Sequence, residues 1–224
     1  MPMRVLALLM LLASPLLAEE LHVAPGVGTL AEAIAVASPG DVLILSGGAY
    51  LGPVILDRAL TLQGDGTAKI DGQGKGTVIT ITGDGVTLTG LEVIGSGNDN
   101  QAIDSGIKVV KGADGTRIIG NRLTGNMHGV DVHGGLDTLV RDNVIEGRQN
   151  PHMNERGNGI YIWNSPGTVV EGNSVRWGRD GIFSNASKKG TYRNNLFRDL
   201  RFAVHYMYTH DSEISGNISI GNHL

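Results

Sequence analysis

Short apolar runs that alternate with polar residues follow Asp41 and predict β-strands. In a strand every second side chain points to the same face, so the alternation in residues 77–81 and 87–89 turns half of the side chains inward. Glycine-rich turns separate the runs. The predicted strands are Val42–Leu45, Val54–Leu56, Leu60–Leu62, Val78–Ile81 and Val86–Leu88.

The segment after Thr29 has helical spacing instead. Its apolar residues Leu30, Ala33, Ile34 and Ala37 fall on one side, and Pro39-Gly40 ends the pattern. Thr29 and Glu32 have the spacing of a capping box. We therefore expect a short helix that covers the first coil of the strands that follow.

A repeat of about 22 residues organises the second half of the chain. A small residue followed by an apolar one returns after 23, 30, 22 and 22 residues, and an asparagine returns after 22, 30, 22 and 22. The pairs are Gly106-Ile107, Gly129-Val130, Gly159-Ile160, Gly181-Ile182 and Ala203-Val204, and the asparagines are Asn121, Asn143, Asn173, Asn195 and Asn217. This period predicts an all-β parallel β-solenoid with an insertion near residues 147–156 and an internal asparagine ladder.

The register of the repeat predicts which side chains face outward. The inward pairs are Ile107/Val109, Val130/Val132, Ile160/Ile162, Ile182/Ser184 and Val204/Tyr206. The outward columns are then Lys108, Asp131, Tyr161, Phe183, His205 and, beside it, Val110, His133, Trp163, Asn185, Met207. We expect the aromatic side chains, with His133, to form an interaction surface. The alternative is that a loop or a further segment covers them.

Composition narrows the function. The chain has 224 residues, 34 glycines, a net charge of −4 and no cysteine. No basic tract supports nucleic-acid binding, and the absence of cysteine leaves histidine and methionine as ligands for a soft metal ion.

Residues 1–18 have the pattern of a secretory signal peptide. One positive charge at Arg4 precedes the apolar run Val5–Leu12, and Ala18 precedes the expected cleavage site before Glu19. An uncleaved anchor is the alternative, because Leu16 stands where a small residue is preferred. We expect an exported chain with a single β-solenoid domain at 19–224, whose next strand would begin at position 225.

Histidines and methionines concentrate in two places. His205 and Met207 point to the same side of one predicted strand, with His210 as a candidate third donor, and a thioether with an imidazole suits Cu(I). The insertion places His152 and Met153 near the corner occupied by Met127 and His128. The alternative is that these residues only decorate turns.

Several runs resemble the NosD family. They are GPVILDRALTLQGDG, IDGQGKG, RGNGIYIWNSPG, RWGRDGIFSNASKK and FRDLRFAVHYMYTHDSEISGN. The resemblance implies a right-handed parallel β-helix in the periplasm that takes part in nitrous oxide reductase maturation, a step of denitrification. It also implies that the cargo is copper and that the protein is not a catalyst. The implied partners are the NosF–NosY ABC transporter, the lipoprotein NosL and the reductase, and contact with the membrane is made only through the transporter. In the family, Asn commonly occupies the position of His210.

Two other functions fit the same fold. A carbohydrate-binding or polysaccharide-degrading protein could stack Tyr161, Trp163 and Phe183 on sugar rings, although hydrolysis needs two carboxyl groups about 5–9.5 Å apart. The outward columns offer only Asp131, and we expect Asp180 and Asp199 to pair with Arg179, Arg198 or Arg201. A structural spacer between transporter and reductase is the third reading.

Overall fold

The computed structural model describes residues 18–150 and 152–223. The predicted signal peptide lies outside the described residues except for Ala18. Within the described ranges none of the helices has the length and hydropathy needed to span a bilayer. The elements are β1 Glu20–Val23, α1 Thr29–Val36, β2 Val42–Leu45, β3 Gly48–Leu51, β4 Val54–Leu56, β5 Thr61–Asp71, β6 Ile79–Ile81, β7 Thr87–Ile94, β8 Ser105–Val110, β9 Arg117–Ile119, β10 Arg122–Thr124, β11 His128–His133, β12 Leu139–Arg141, β13 Val144–Glu146, a 3-10 turn Met153–Glu155, β14 Ile160–Trp163, β15 Val169–Glu171, β16 Ser174–Arg176, β17 Asp180–Asn185, β18 Thr191–Arg193, β19 Leu196–Arg198, β20 Phe202–Met207, β21 Glu213–Ser215 and β22 Ile218–Ile220.

The strands stack in parallel into two sheets. Sheet B contains β4, β6, β8, β11, β14, β17 and β20, and the other strands form sheet A, whose two flanks meet at β7. Each regular coil has one strand from sheet B followed by two from sheet A, as in β11–β12–β13. The chain is therefore a parallel β-solenoid of about nine turns, and the predicted fold class is confirmed.

The predicted register is confirmed strand by strand. Val130 pairs with Ile107 on one side and Ile160 on the other, and Ile182 pairs with Val204. The inward side chains of β8, β11 and β14 are fully buried, because each is covered by the coils above and below. In β20 the inward Tyr206 is 38% exposed.

The asparagines form the expected ladder at one corner. The side-chain amide of Asn143 donates to Oδ1 of Asn173 at 2.9 Å, and Asn173 and Asn195 repeat this contact to Asn195 and Asn217. Each amide also donates to a backbone carbonyl, for example Asn173 to Val140. The ladder thus satisfies buried turn groups that water does not reach.

Helix α1 covers the first coil, but it begins one residue earlier than a capping box requires. Gly28 is the N-cap, so Thr29 is already in the first turn and its hydroxyl donates to the Gly26 carbonyl instead. The predicted capping box is therefore wrong. Leu30 and Ile34 are buried in the common core, as the helical spacing predicted.

The insertion leaves the stack after β13 and returns at Gly157. A β-carbon at Gly157 would lie 1.8 Å from the Met127 carbonyl oxygen, so only glycine allows the two backbones to pass this closely. The carbonyl of Gly157 then accepts a hydrogen bond from the Arg179 amide. The end of the insertion therefore lies directly against the backbone that precedes β11.

Candidate functional site

The outer face of sheet B carries both predicted columns. Asp131 pairs with Lys108 and Tyr161, and Phe183 pairs with His205. In the second column, His133 is aligned with Trp163, and Asn185 with Met207. Parallel strands in exact register bring equivalent side chains about 4.8 Å apart, which makes the two columns continuous.

The aromatic rings of these columns are in contact with one another. His133 stacks on Trp163 with the ring centroids 4.4 Å apart, Tyr161 lies 5.1 Å from Phe183, and Phe183 lies 4.8 Å from His205. Trp163 is 37% exposed and the others are half-buried. The predicted patch is thus contiguous and reaches solvent, and its role as an interaction surface stays a prediction.

His205 is held by a carboxylate of the preceding coil. Its Nδ1 lies 3.0 Å from Oδ2 of Asp180, a residue that is only 1% exposed. Asp180 also accepts two hydrogen bonds from Arg201, at 2.9 Å to Oδ1 and 2.6 Å to Oδ2. Of the three arginines proposed from the sequence as partners for Asp180, the structure selects Arg201.

This arrangement decides which nitrogen of His205 carries the proton. Arg201 also lies 3.2 Å from Nδ1, but its shorter contact is to the carboxylate, which is the stronger acceptor. A lone pair on Nδ1 would face the negative Asp180 oxygen, whereas an N–H donates to it. His205 therefore carries its proton on Nδ1 and leaves the Nε2 lone pair free, as metal-ligating histidines do when a carboxylate orients them.

Met207 follows His205 on the same face of β20 and is half-buried. His210 lies in the turn after the strand, where its backbone bridges to Lys188 and the residue is exposed. The structure therefore brings His205 and Met207 to one face and places His210 beyond the end of that face.

The second predicted cluster is divided between two cavities. Met127 is buried, with its Sδ 3.8 Å from Arg148, and lines a cavity with Asn98, Arg148, Asn150 and Glu155. His128 lines a different one. His152 is exposed before the 3-10 turn, and Met153 is half-buried within it. Neither cavity contains all four residues.

Both ring nitrogens of His128 are already engaged. Nδ1 accepts a hydrogen bond from the Asn158 backbone amide at 3.1 Å, so Nε2 carries the proton and donates to Oδ1 of Asn100 at 3.0 Å. Burial lowers its pKa to about 4 against the opposing effect of Asp131. At neutral pH His128 is an uncharged residue that holds two loops together, and it would have to give up a hydrogen bond to bind a metal ion.

The complete burial of Asp131 is a feature that the sequence did not predict. The residue faces outward in register but is fully buried, and neither carboxylate oxygen makes a hydrogen bond to another described residue. Lys108 lies 3.3 Å from it and His133 3.7 Å. The column pattern placed it between Lys108 and Tyr161, and Lys108 also donates a hydrogen bond to the Ala102 carbonyl in the loop before β8.

No group of three or more histidine, aspartate or glutamate side chains within residues 18–150 and 152–223 has metal-binding geometry.

Comparisons with known proteins agree with the resemblance in the sequence. Residues 142–224 match the family described as NosD, periplasmic copper-binding protein. The "Probable ABC transporter binding protein NosD" of Pseudomonas aeruginosa is 36% identical over 137 residues, which cover 61% of this chain and 32% of the relative. The protein of the same name from Stutzerimonas stutzeri is 33% identical over 137 residues, with 61% and 31% covered. The resemblance to the NosD family is confirmed.

The NosD-like chain spans about a third of the length of these curated relatives. Among solved structures, pectate lyase Pel9A superposes with a TM-score of 0.69 at 16% identity, over 89% of this chain and 61% of the enzyme. A rhamnogalacturonan lyase gives a TM-score of 0.65 at 15% identity, over 87% and 57%. At such identities the likeness concerns the fold alone.

Proposed function

We propose that this NosD-like chain binds copper in the periplasm and delivers it for maturation of the copper centre of nitrous oxide reductase. The family description supports copper and the periplasm. The names of the two relatives support an ABC transporter as partner, which the resemblance equates with NosF–NosY. NosL as copper donor and the reductase as acceptor complete the proposal.

The geometry of His205 carries this proposal. Its Nε2 lone pair is free because Asp180 holds Nδ1, and the thioether of Met207 is two residues away on the same face. One imidazole and one thioether form a site with few donors, which suits Cu(I) and permits exchange with a partner. The aromatic patch beside it offers a surface on which a partner protein can dock.

A competition titration with Cu(I) tests the site. The purified chain is titrated anaerobically against a coloured Cu(I) chelator, together with His205→Ala, Met207→Ala and the double variant. We expect the double variant to lose one Cu(I) equivalent, whereas His22→Ala and His223→Ala, which alter histidines at opposite ends of the stack, retain it. Unchanged stoichiometry and affinity in the double variant would remove His205 and Met207 from the proposal.

A non-catalytic role is part of the same proposal. Asp131 is enclosed and ion-paired with Lys108, and Asp180 is engaged by Arg201 and His205. Neither carboxylate is free to protonate a glycosidic bond or to activate water, as glycoside hydrolysis requires. Incubation with acidic polysaccharides should release no oligosaccharides. Release of products would favour the polysaccharide-degrading alternative, and absence of both copper binding and cleavage would favour a structural spacer.

A further inference from the structure

Arg179 is a half-buried arginine without an anionic partner among the described residues. Its Nε is enclosed and makes no hydrogen bond. The neighbouring carboxylate of Asp180 is occupied by Arg201 and His205. A guanidinium is always charged, and enclosing its Nε–H without an acceptor is unfavourable, so the position favours an anion from outside the chain.

A cavity of about 230 Å³ lies at this position, between the loop before β8 and the returning insertion. Its lining contains no acidic residue. The lining includes His128, Asn158, Tyr161, Arg179 and Phe183. The charges of Lys108 and Asp131, which lie nearby, offset each other at 3.3 Å. The charge of Asp104 also acts on His128, and Arg148 is a cation close to Asp104. Arg179 is therefore the charged side chain of the cavity lining.

The cavity also contains polar groups that suit hydroxyls. Asn158 is 8% exposed, and its Oδ1 is enclosed without a hydrogen-bond partner among the described residues. Burial and the nearby Asp131 charge raise the pKa of Tyr161, so its hydroxyl remains protonated and can donate. The rings of Tyr161 and Phe183, 5.1 Å apart, supply an apolar wall. An unpaired donor and an unpaired acceptor in one cavity require a ligand that offers both functions.

We propose that this cavity binds a small hydroxylated carboxylate, of the size of one hydroxy acid or one uronic acid residue. The guanidinium of Arg179 donates to the ligand carboxylate, and the side-chain amide of Asn158 forms a hydrogen bond with a ligand hydroxyl. The rings of Tyr161 and Phe183 cover the carbon face of the ligand. The cavity is smaller than those that usually hold drug-sized ligands, so it takes one such unit. This site adjoins His205, whose ring lies 4.8 Å from that of Phe183, but neither His205 nor Met207 lines the cavity. Binding there requires no catalysis.

Isothermal titration of the full chain with glucuronate, glucose and acetate tests this site. Glucose lacks the carboxylate and acetate lacks the hydroxyls, so each removes one of the two contacts. We expect glucuronate to bind at least about tenfold more tightly than either, since a hydrogen bond to a charged group is worth roughly that factor. Arg179→Gln should weaken glucuronate binding by about tenfold or more. Arg198→Gln, which alters an exposed arginine on sheet A, should not weaken it.

Further variants keep the test decisive if Arg179→Gln does not fold. Arg179→Lys keeps the charge and loses the planar guanidinium. This variant should bind glucuronate more weakly than the wild type does, but it should still bind glucuronate more tightly than it binds glucose. Asn158→Asp adds a negative charge to the cavity and should abolish binding. Absence of glucuronate binding at millimolar concentration, equal binding of glucose, or undiminished binding by the folded Arg179 variants would overturn the proposal. Acetate binding as tight as that of glucuronate would refute the contact assigned to Asn158.

Discussion

Nδ1 of His205 donates a hydrogen bond to the buried carboxylate of Asp180 at 3.0 Å, across one coil of the solenoid. Asp180 begins β17 and His205 lies in β20, so two coils must be correctly stacked before the imidazole is oriented. Copper binding at His205, as proposed, would therefore depend on the integrity of the stack and not only on the ligand.

The first prediction concerns this orientation. Asp180→Asn keeps the size of the side chain but removes the negative charge that fixes the tautomer of His205. We expect Cu(I) affinity to fall about tenfold, the lower end of what such supporting residues contribute. Nitrogen NMR of the histidine ring should show protonation shifting from Nδ1 towards Nε2, a change that a purely structural role would not produce. Asp199→Asn, an exposed turn residue, is the control and should change neither quantity.

The second prediction concerns pH and His128. Its pKa is about 4 in the folded protein and about 6.5 when unfolded, so the unfolded state binds more protons between these values. Stability should fall as the pH drops from about 6.5 towards 4. Linkage gives a loss of up to about 2 kcal/mol between pH 7 and pH 5. Urea unfolding of the wild type and of His128→Asn at both pH values measures it.

The His128→Asn variant should be less stable at pH 7 and less dependent on pH than the wild type. His210→Asn, which replaces an exposed histidine, should retain the full pH dependence. Parallel pH profiles for the wild type and His128→Asn would show that this histidine does not carry the effect.

The third prediction concerns the asparagine ladder. Asn173→Ala removes the acceptor for the Asn143 backbone and side-chain amides and the donor to the Val140 carbonyl, all in a buried setting. Unsatisfied buried groups are costly, so we expect the free energy of unfolding to fall by about 2–4 kcal/mol. Asn154→Ala, in the exposed part of the insertion, should change it by less than about 0.5 kcal/mol. A similar small change in both variants would mean that the ladder contributes little.

The fourth prediction concerns the cluster at the insertion. Because His152 is exposed and neither it nor Met153 lines the cavity of Met127, the double variant His152→Ala/Met153→Leu should keep its Cu(I) stoichiometry. The same titration that tests His205 and Met207 measures this. Loss of a Cu(I) equivalent in this variant alone would transfer the copper site to the insertion.

The sequence by itself determined the coil and its faces. The 22-residue interval between asparagines predicted the ladder, and the alternation within strands predicted that Tyr161, Phe183 and His205 form one column, as the strand register confirms. These features follow from the sequence because a repeat places equivalent residues directly above one another, and a strand alternates its side chains. The eight extra residues of the insertion were visible for the same reason.

The tertiary structure decided what surrounds those columns. It enclosed Asp131, which the column pattern placed on the surface, and it paired Asp180 with Arg201, whereas the Nε of Arg179 has no hydrogen-bond partner within residues 18–150 and 152–223. It also separated Met127 from His128, although the two are adjacent in the chain. The contacts of Met127 and His128 involve the insertion and the loop before β8, which lie outside the repeat. The periodicity of the strands does not determine the positions of these two segments. Their positions depend on contacts between residues that are about 30 to 50 positions apart in the chain.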